Sequence, residues 1–129
     1  MKLLLDTNTY VALRNGKPEV VTLVREAESI VLSAVVVGEL LFGFRHGNRF
    51  RANASSLEDF IDQPQVSLKD VTYSTANQFG VISSTLRKRG TPIPTNDIWI
   101  ASHVLETGSE LLTYDKHFDR IDNLPKIVL

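Results

Sequence analysis

Three leucines, Leu3-Leu4-Leu5, open the chain with no polar residue between them, and the run stops at Asp6-Thr7-Asn8-Thr9. An unbroken apolar run of this kind predicts a strand covered on both faces, as in a parallel sheet flanked by helices. The polar residues behind it favour caps and turns over strand. The period then changes. A short helix through Tyr10-Val11-Ala12-Leu13 is closed by Asn15-Gly16, and Pro18-Glu19 opens a second with Val20, Leu23, Val24 and Ala27 at helical spacing. Ile30-Val31-Leu32 reads as a second buried strand, ending at Ser33.

From Ser33 to Gly47 the first residues look strand-like, but the apolar run is too long for a strand. With Ser33 as N-cap, the pattern predicts a helix. Val36, Leu40 and Phe44 share one stripe of it, and Val35, Glu39 and Phe42 the next. Glu39 is thus a carboxylate set in an apolar helix, where an ionised and unpaired group would be costly, so it needs a partner. A helix around 54–61 turns Leu57, Phe60 and Ile61 inward, and Gln65–Leu68 is a short strand ended by Asp70.

Tyr73–Arg89 is the clearest helix, with Ala76, Phe79, Ile82, Ser83 and Leu86 on one face, a basic last turn and a stop at Gly90. A stiff connector, Thr91–Asn96, leads into a helix from Asp97 to Thr107, capped by Thr95 or Asn96 and buried along Ile98, Ala101, Val104 and Leu105. Glu110–Asp115 repeats the opening pattern, a short strand that terminates in Asp. His117-Phe118-Asp119 reads as a tight turn or a 3₁₀ piece, and Ile127–Leu129 as an edge strand. Strands alternating with helices predict an α/β fold, a three-layer α/β/α sandwich around a mainly parallel central sheet.

Composition narrows the function classes. With 129 residues, 43% hydrophobic and 22% charged, the chain is sized for one domain over 1–129 that buries roughly two-thirds of its unfolded surface. The absence of cysteine excludes disulfides, thiolate metal sites and a cysteine nucleophile, and fits a cytoplasmic location. The apolar start is too short for a signal peptide, and no run approaches the ~20 residues that cross a bilayer. A formal charge of −1 argues against gripping nucleic acid by bulk positive charge. Arg45, Arg49 and Arg51 form a local basic patch, a weak candidate for RNA contact, and His46 beside them has no partner at metal spacing.

The acids carry the chemistry. Ligands bind at the carboxyl ends of strands in open α/β sheets, so Asp6 is either a site residue or only the cap of the next helix. Asp97 alone is explained by the helix dipole, worth about 0.3–1 kcal/mol. If the two Asp-terminated strands are parallel neighbours, however, Asp6 and Asp115 share one edge with the start of the Asp97 helix. Carboxylates about 4 Å apart repel by on the order of 4 kcal/mol at an effective dielectric near 20, so protons or a cation must relieve them. An oxygen-only set, with no Cys and no clustered His, favours Mg²⁺ or Mn²⁺ over Zn²⁺. The chemistry implied is metal-assisted phosphodiester hydrolysis.

Leu4-Leu5-Asp6-Thr7-Asn8, Ser33–Leu40, Pro94–Ala101 and Leu112–Phe118 resemble, in order, the successive motifs of PIN-domain proteins, most closely the VapC-type toxins of toxin–antitoxin pairs. The resemblance spans essentially the whole chain. It implies a PIN-like nuclease fold, endoribonuclease activity on an RNA substrate and an acidic metal site of Asp6, Glu39, Asp97 and Asp115. Asp6 and Asp97 would be the most direct ligands, with Thr7, Asn8 and Thr113 orienting the acids through hydrogen bonds. A homodimer and a VapB-type antitoxin whose peptide covers the active site are also implied, while Asp119 stays peripheral. Apolar stripes on the Pro18 helix and the Arg51–Ile61 helix are candidates for the antitoxin groove or for core packing.

Two other classes compete. A receiver-like phosphotransfer domain has similar size and a carboxylate cluster at strand ends. It would need a paired acid after the first strand and a phospho-accepting Asp on a middle one, where this chain has Thr7 and Ser33. A phosphatase of the haloacid-dehalogenase type begins strand-Asp-x-Asp, and Asn8 replaces its second Asp. A catalytically inactive PIN-like binding module would keep the cleft without the reaction.

Overall fold

The computed structural model describes all of residues 1–129. Five strands form one sheet in the order β3-β2-β1-β4-β5: β1 Lys2–Leu5, β2 Ser29–Ser33, β3 Val66–Lys69, β4 Glu110–Thr113 and β5 Lys126–Val128. Every neighbouring pair is parallel. The helices are α1 Thr7–Arg14, α2 Pro18–Glu26, α3 Ala34–Arg45, α4 Phe50–Ile61, α5 Tyr73–Arg89 and α6 Thr95–Thr107, with a 3₁₀ turn at Lys116–Arg120. The expected parallel α/β architecture is therefore present.

The leucine run sits in the middle strand. Leu3, Leu4 and Leu5 are fully buried and pack into one core with Leu32, Val36, Leu57, Ile100, Leu111 and Leu112. From β1 the chain builds outward through β2 and β3, then returns on the other side through β4 and β5. The reversal between β1 and β4 leaves a crevice at their carboxyl ends, the place where open parallel sheets bind ligands.

Several local expectations shift. α4 begins at Phe50, four residues before the predicted start, and Val20 and Leu57, the first residues of the two proposed groove stripes, are spent on the core. On α5 the inward place is taken by Thr75 rather than Ala76, because the Thr75 hydroxyl donates to Glu106 at 2.7 Å. α6 starts at Thr95, two residues before Asp97, with Pro94 as N-cap residue and no side chain capping it. β4 ends at Thr113, so Asp115 lies two residues beyond the strand, at the N-terminus of the 3₁₀ turn. No helix is long and apolar enough to cross a membrane.

Candidate metal centre

Sheet register assembles the first half of the site. Leu5 pairs with Leu112, so the next residues, Asp6 and Thr113, leave the sheet side by side. Thr113 Oγ1 donates to Asp6 Oδ2 at 2.6 Å. The other oxygen, Oδ1, accepts the Thr9 backbone N–H at 3.0 Å, which makes Asp6 the N-cap of α1. Capping and site roles are thus carried by two oxygens of one carboxylate. Thr9 Oγ1 also lies 2.9 Å from Oδ1 and 3.0 Å from the Leu112 carbonyl, which ties α1 to β4. Thr113 Oγ1 in turn accepts the Asp115 backbone N–H at 3.0 Å, which fixes where the chain turns after β4.

Glu39 supplies the second half. It is only half-buried, because its turn of α3 faces the crevice rather than the core. Its partners are the Thr7 hydroxyl, donating at 2.6 Å, and the Asn96 amide, donating at 3.3 Å. Both neutral donors leave its charge in place. Asp97, in the first turn of α6, benefits from the positive end of that helix.

All four acids line one hollow of about 570 Å³, together with Thr7, Asn8 and His117. Within it the tightest set is Asp97, Asp115 and His117, whose ligand atoms all lie within 4.8 Å of one another. Asp6 and Glu39 line the same hollow outside that set, each held by a threonine hydroxyl. Asn8 lines the hollow without a hydrogen bond to any of the acids. Arg45, Arg49 and Arg51 lie outside it, exposed around the α3–α4 turn, with the Arg45 guanidinium 4.0 Å over the Phe50 ring. His46 is exposed and packs against Phe42.

His117 corrects the reading that no histidine joins the acids. Its Nε2 lies 2.7 Å from Asp97 Oδ2, and its Nδ1 lies 2.7 Å from Asp115 Oδ1. A spacing search for paired histidines misses it because its partners are carboxylates, one of them twenty residues earlier in the chain. Its only signal was the phase of the 3₁₀ turn, which sends Phe118 into the core and its neighbour back over the crevice. Thr9 was missed for a similar reason, since its hydroxyl bridges α1 and β4 only once the register is set.

The electrostatics show a site with charge to spare. Burial pushes Asp6, 7% exposed, above the ordinary carboxylate value, against the hydrogen bonds from Thr113 and Thr9, and the Asp115 charge adds to the rise. Asp97 is also raised by burial, opposed by His117 and reinforced by the charges of Glu39 and Asp115. A cation among these groups relieves the carboxylate repulsion. The donor set, four carboxylates and one imidazole with no thiolate, therefore fits a hard divalent ion, and the one nitrogen widens the choice toward Mn²⁺.

Comparison with known proteins agrees with this geometry. A family model described as "PIN domain" matches residues 3–124. The chain belongs to the PIN-domain family. Among curated PIN relatives, Ribonuclease VapC2 of Rickettsia felis is 30% identical over 126 residues, covering 94% of this chain and 92% of that protein. A tRNA(fMet)-specific endonuclease VapC from Salmonella typhimurium is 28% identical over 130 residues, covering 96% and 95%. Among solved structures, VapBC-1 from nontypeable Haemophilus influenzae superposes with a TM-score of 0.87 at 27% identity, covering 99% of this chain and 98% of that one. VapBC2 from Rickettsia felis, bound to a DNA fragment from their promoter, gives 0.86 at 26% identity and covers 100% and 99%.

The receiver class loses its footing here. The β2 end offers Ser33, whose hydroxyl accepts the Val35 N–H at 3.1 Å and contacts His103 at 2.8 Å, so no phospho-accepting acid stands where a receiver needs one.

Proposed function

We propose that this chain, as one PIN-like nuclease unit over 1–129, is a divalent-metal-dependent endoribonuclease and the toxin half of a VapBC-type pair. The observation that carries the reading is the convergence of Asp6, Glu39, Asp97 and Asp115 on one hollow, with His117 as its only basic residue. These acids would hold Mg²⁺ or Mn²⁺, with Asp97 and Asp115 nearest each other and Asp6 and Glu39 completing the ring. The bound ion supplies charge at a phosphate oxygen and lowers the pKa of a water at the phosphodiester.

The chain's own groups do the rest. Thr113 and Thr9 hold both Asp6 oxygens in one orientation, and Thr7 does the same for Glu39, so the carboxylates need not reorganise when a phosphate arrives. His117, between Asp97 and Asp115, keeps those two carboxylates apart and aimed into the hollow. Without a cation the hollow repels polyanions, so metal and RNA are expected to bind with positive coupling. A VapB-type antitoxin offering a cationic side chain would match the same charge, and the homodimer that the family resemblance implies would complete the assembly.

Purified protein should cut single-stranded RNA, stop with chelator and recover with Mg²⁺ or Mn²⁺. Full cleavage in the presence of chelator, or by Asp6→Asn and Asp97→Asn variants, would overturn the assignment. Uptake of metal without any cleavage would favour the binding-module reading instead.

A further inference from the structure

Tyr10 is 1% exposed, and its hydroxyl has no hydrogen-bond partner. Its ring is held edge-on by Phe60, with centroids 5.5 Å apart. Buried hydroxyls are nearly always partnered, so an idle one points to a ligand or a water. Tyr10 lines a hollow of about 380 Å³ between α1 and α4, beside Arg14, Asn15, Arg49, Asn53 and Ser56. No carboxylate lines this hollow, and neither arginine takes part in an ion pair. Every polar side chain around it can donate a hydrogen bond, and the two cations only donate. In a chain of net charge −1 this is a concentrated positive site without an internal counter-charge.

Its position relates it to the acidic hollow. Thr7, Val11 and Arg14 are spaced i, i+4, i+7 and so form one stripe of α1. Thr7 lines the acidic hollow, while Val11 and Arg14 line this one. Asn8 and Asn15, seven apart, bridge the two in the same way. Seven residues of helix rise about 10 Å.

We propose that the hollow between α1 and α4 is a phosphate-binding subsite, with Arg14 and Arg49 as its cations, that grips the RNA backbone about 10 Å from the metal-binding acids. The proposal rests on the nuclease reading and adds the place where substrate is held. A stacked strand advances about 3.4 Å per nucleotide, so a strand with one phosphate at the acids carries another at this distance whatever its sequence. An acidic peptide would need a side chain at one particular register. The arrangement also solves a problem of the acidic hollow, which repels RNA until metal is bound. A neighbouring cationic grip supplies attraction that is indifferent to base identity.

The test is anisotropy of a short fluorescein-labelled single-stranded RNA on the full chain, in chelator so that nothing is cut, across a KCl series. Each phosphate contact contributes about 0.7 to the slope of log affinity against log salt, so R14Q/R49Q should lower the slope by about 1.4 and weaken binding roughly tenfold at low salt. R14K/R49K should restore the slope, which separates charge from folding, and K88A, outside both hollows, should leave it unchanged. Y10F should cost roughly threefold without altering the slope, the loss of one hydrogen bond. A folded R14Q/R49Q protein with the wild-type slope overturns the subsite. So does a variant that keeps its RNA affinity but loses binding to a glutamate-rich peptide, which would assign the hollow to a protein partner. If the wild-type chain binds no RNA in chelator, the subsite fails, while the nuclease reading stands or falls separately on cleavage with Mg²⁺ restored.

Discussion

Two carboxylate-bearing regions of this molecule sit at opposite sides of α6 and handle charge in opposite ways. At the far end of α6, Glu106 is nearly buried and accepts hydroxyls from Thr75 at 2.7 Å and Thr72 at 3.3 Å, with the Lys69 ammonium 3.5 Å away. Burial raises its pKa, but the hydrogen bonds from Thr75 and Ser74 and the Lys69 charge outweigh that, and Glu106 ends below its ordinary value. One turn back, His103 is fully buried between the Ser33 hydroxyl at 2.8 Å and the Asp70 carbonyl at 3.1 Å. The carbonyl can only accept, so Nε2 carries the proton and Nδ1 accepts from Ser33. Burial holds this ring neutral by lowering its pKa.

At the start of α6 the balance fails on purpose of geometry: four carboxylates face one imidazole, and Asp6 and Asp97 are held above their ordinary values. The difference separates structure from function. Glu106 and His103 are satisfied by the chain itself and need nothing from outside. The crevice keeps a surplus of negative charge that only an external cation, metal or guanidinium, can cancel.

The largest expected effect breaks the comparison at its functional end. Asp97→Asn should lower RNA cleavage by about 10³-fold, several kcal/mol of charge stabilisation at the phosphate. The same variant should melt at a higher temperature in chelator, because it removes repulsion from Glu39 and Asp115. Glu106→Ala should do the reverse. It strands Lys69, Thr72 and Thr75 and costs about 2 kcal/mol of stability, while cleavage per folded molecule stays unchanged. Activity lost equally in both variants, at equal stability, would mean that the two regions are not different in kind.

The contrast also shows what the sequence made legible. The leucine run, the Asp that ends it and the strand that repeats this pattern were readable because burial on both faces leaves an unbroken apolar string. The adjacency of β1 and β4 then follows from ordinary parallel topology, and with it the meeting of Asp6 and Asp115. Glu39 was legible as an anomaly, a carboxylate where the stripe wanted a hydrocarbon. His117, Thr9 and the α1–α4 hollow were not legible. Each depends on rotational phase, of the 3₁₀ turn or of α1 against α4, and one residue of phase is worth about 100°. His103 and Glu106 were equally silent, since their partners come from β2, β3 and α5, far apart in the chain.

A smaller change sharpens the boundary between holding a charge and carrying it. Thr113 has no charge, yet it gives Asp6 its 2.6 Å hydrogen bond and accepts from Asp115. Thr113→Val should lower cleavage by about tenfold and weaken Mn²⁺ binding by a similar factor, the usual size for a group that orients a ligand. Thr113→Ser, which retains the hydroxyl, should recover most of both. Calorimetric Mn²⁺ affinity equal in Thr113→Val and wild type would place Asp6 outside the metal's reach.

The smallest effect is in stability against pH, and its sign differs between the regions. Asp6 and Asp97 have folded pKa values raised above the ordinary 3.8, so the folded state binds their protons more tightly than the unfolded chain does. Their stabilising contribution is complete below 3.8 and is lost as pH rises through the raised values. Glu106 is lowered from 4.5, so its contribution is present above that value and is lost as pH falls through the folded one. In metal-free urea titrations, Asp97→Asn should therefore be more stable than wild type at neutral pH, with the advantage vanishing in acid. Glu106→Gln should be less stable at neutral pH, and its deficit should also vanish in acid. Mg²⁺ at neutral pH should erase the first difference, because it neutralises the surplus that Asp97→Asn relieves, and should leave the second untouched. If Mg²⁺ moved both differences together, the surplus charge would not be confined to the crevice, and the division between self-satisfied and ligand-seeking carboxylates would fall.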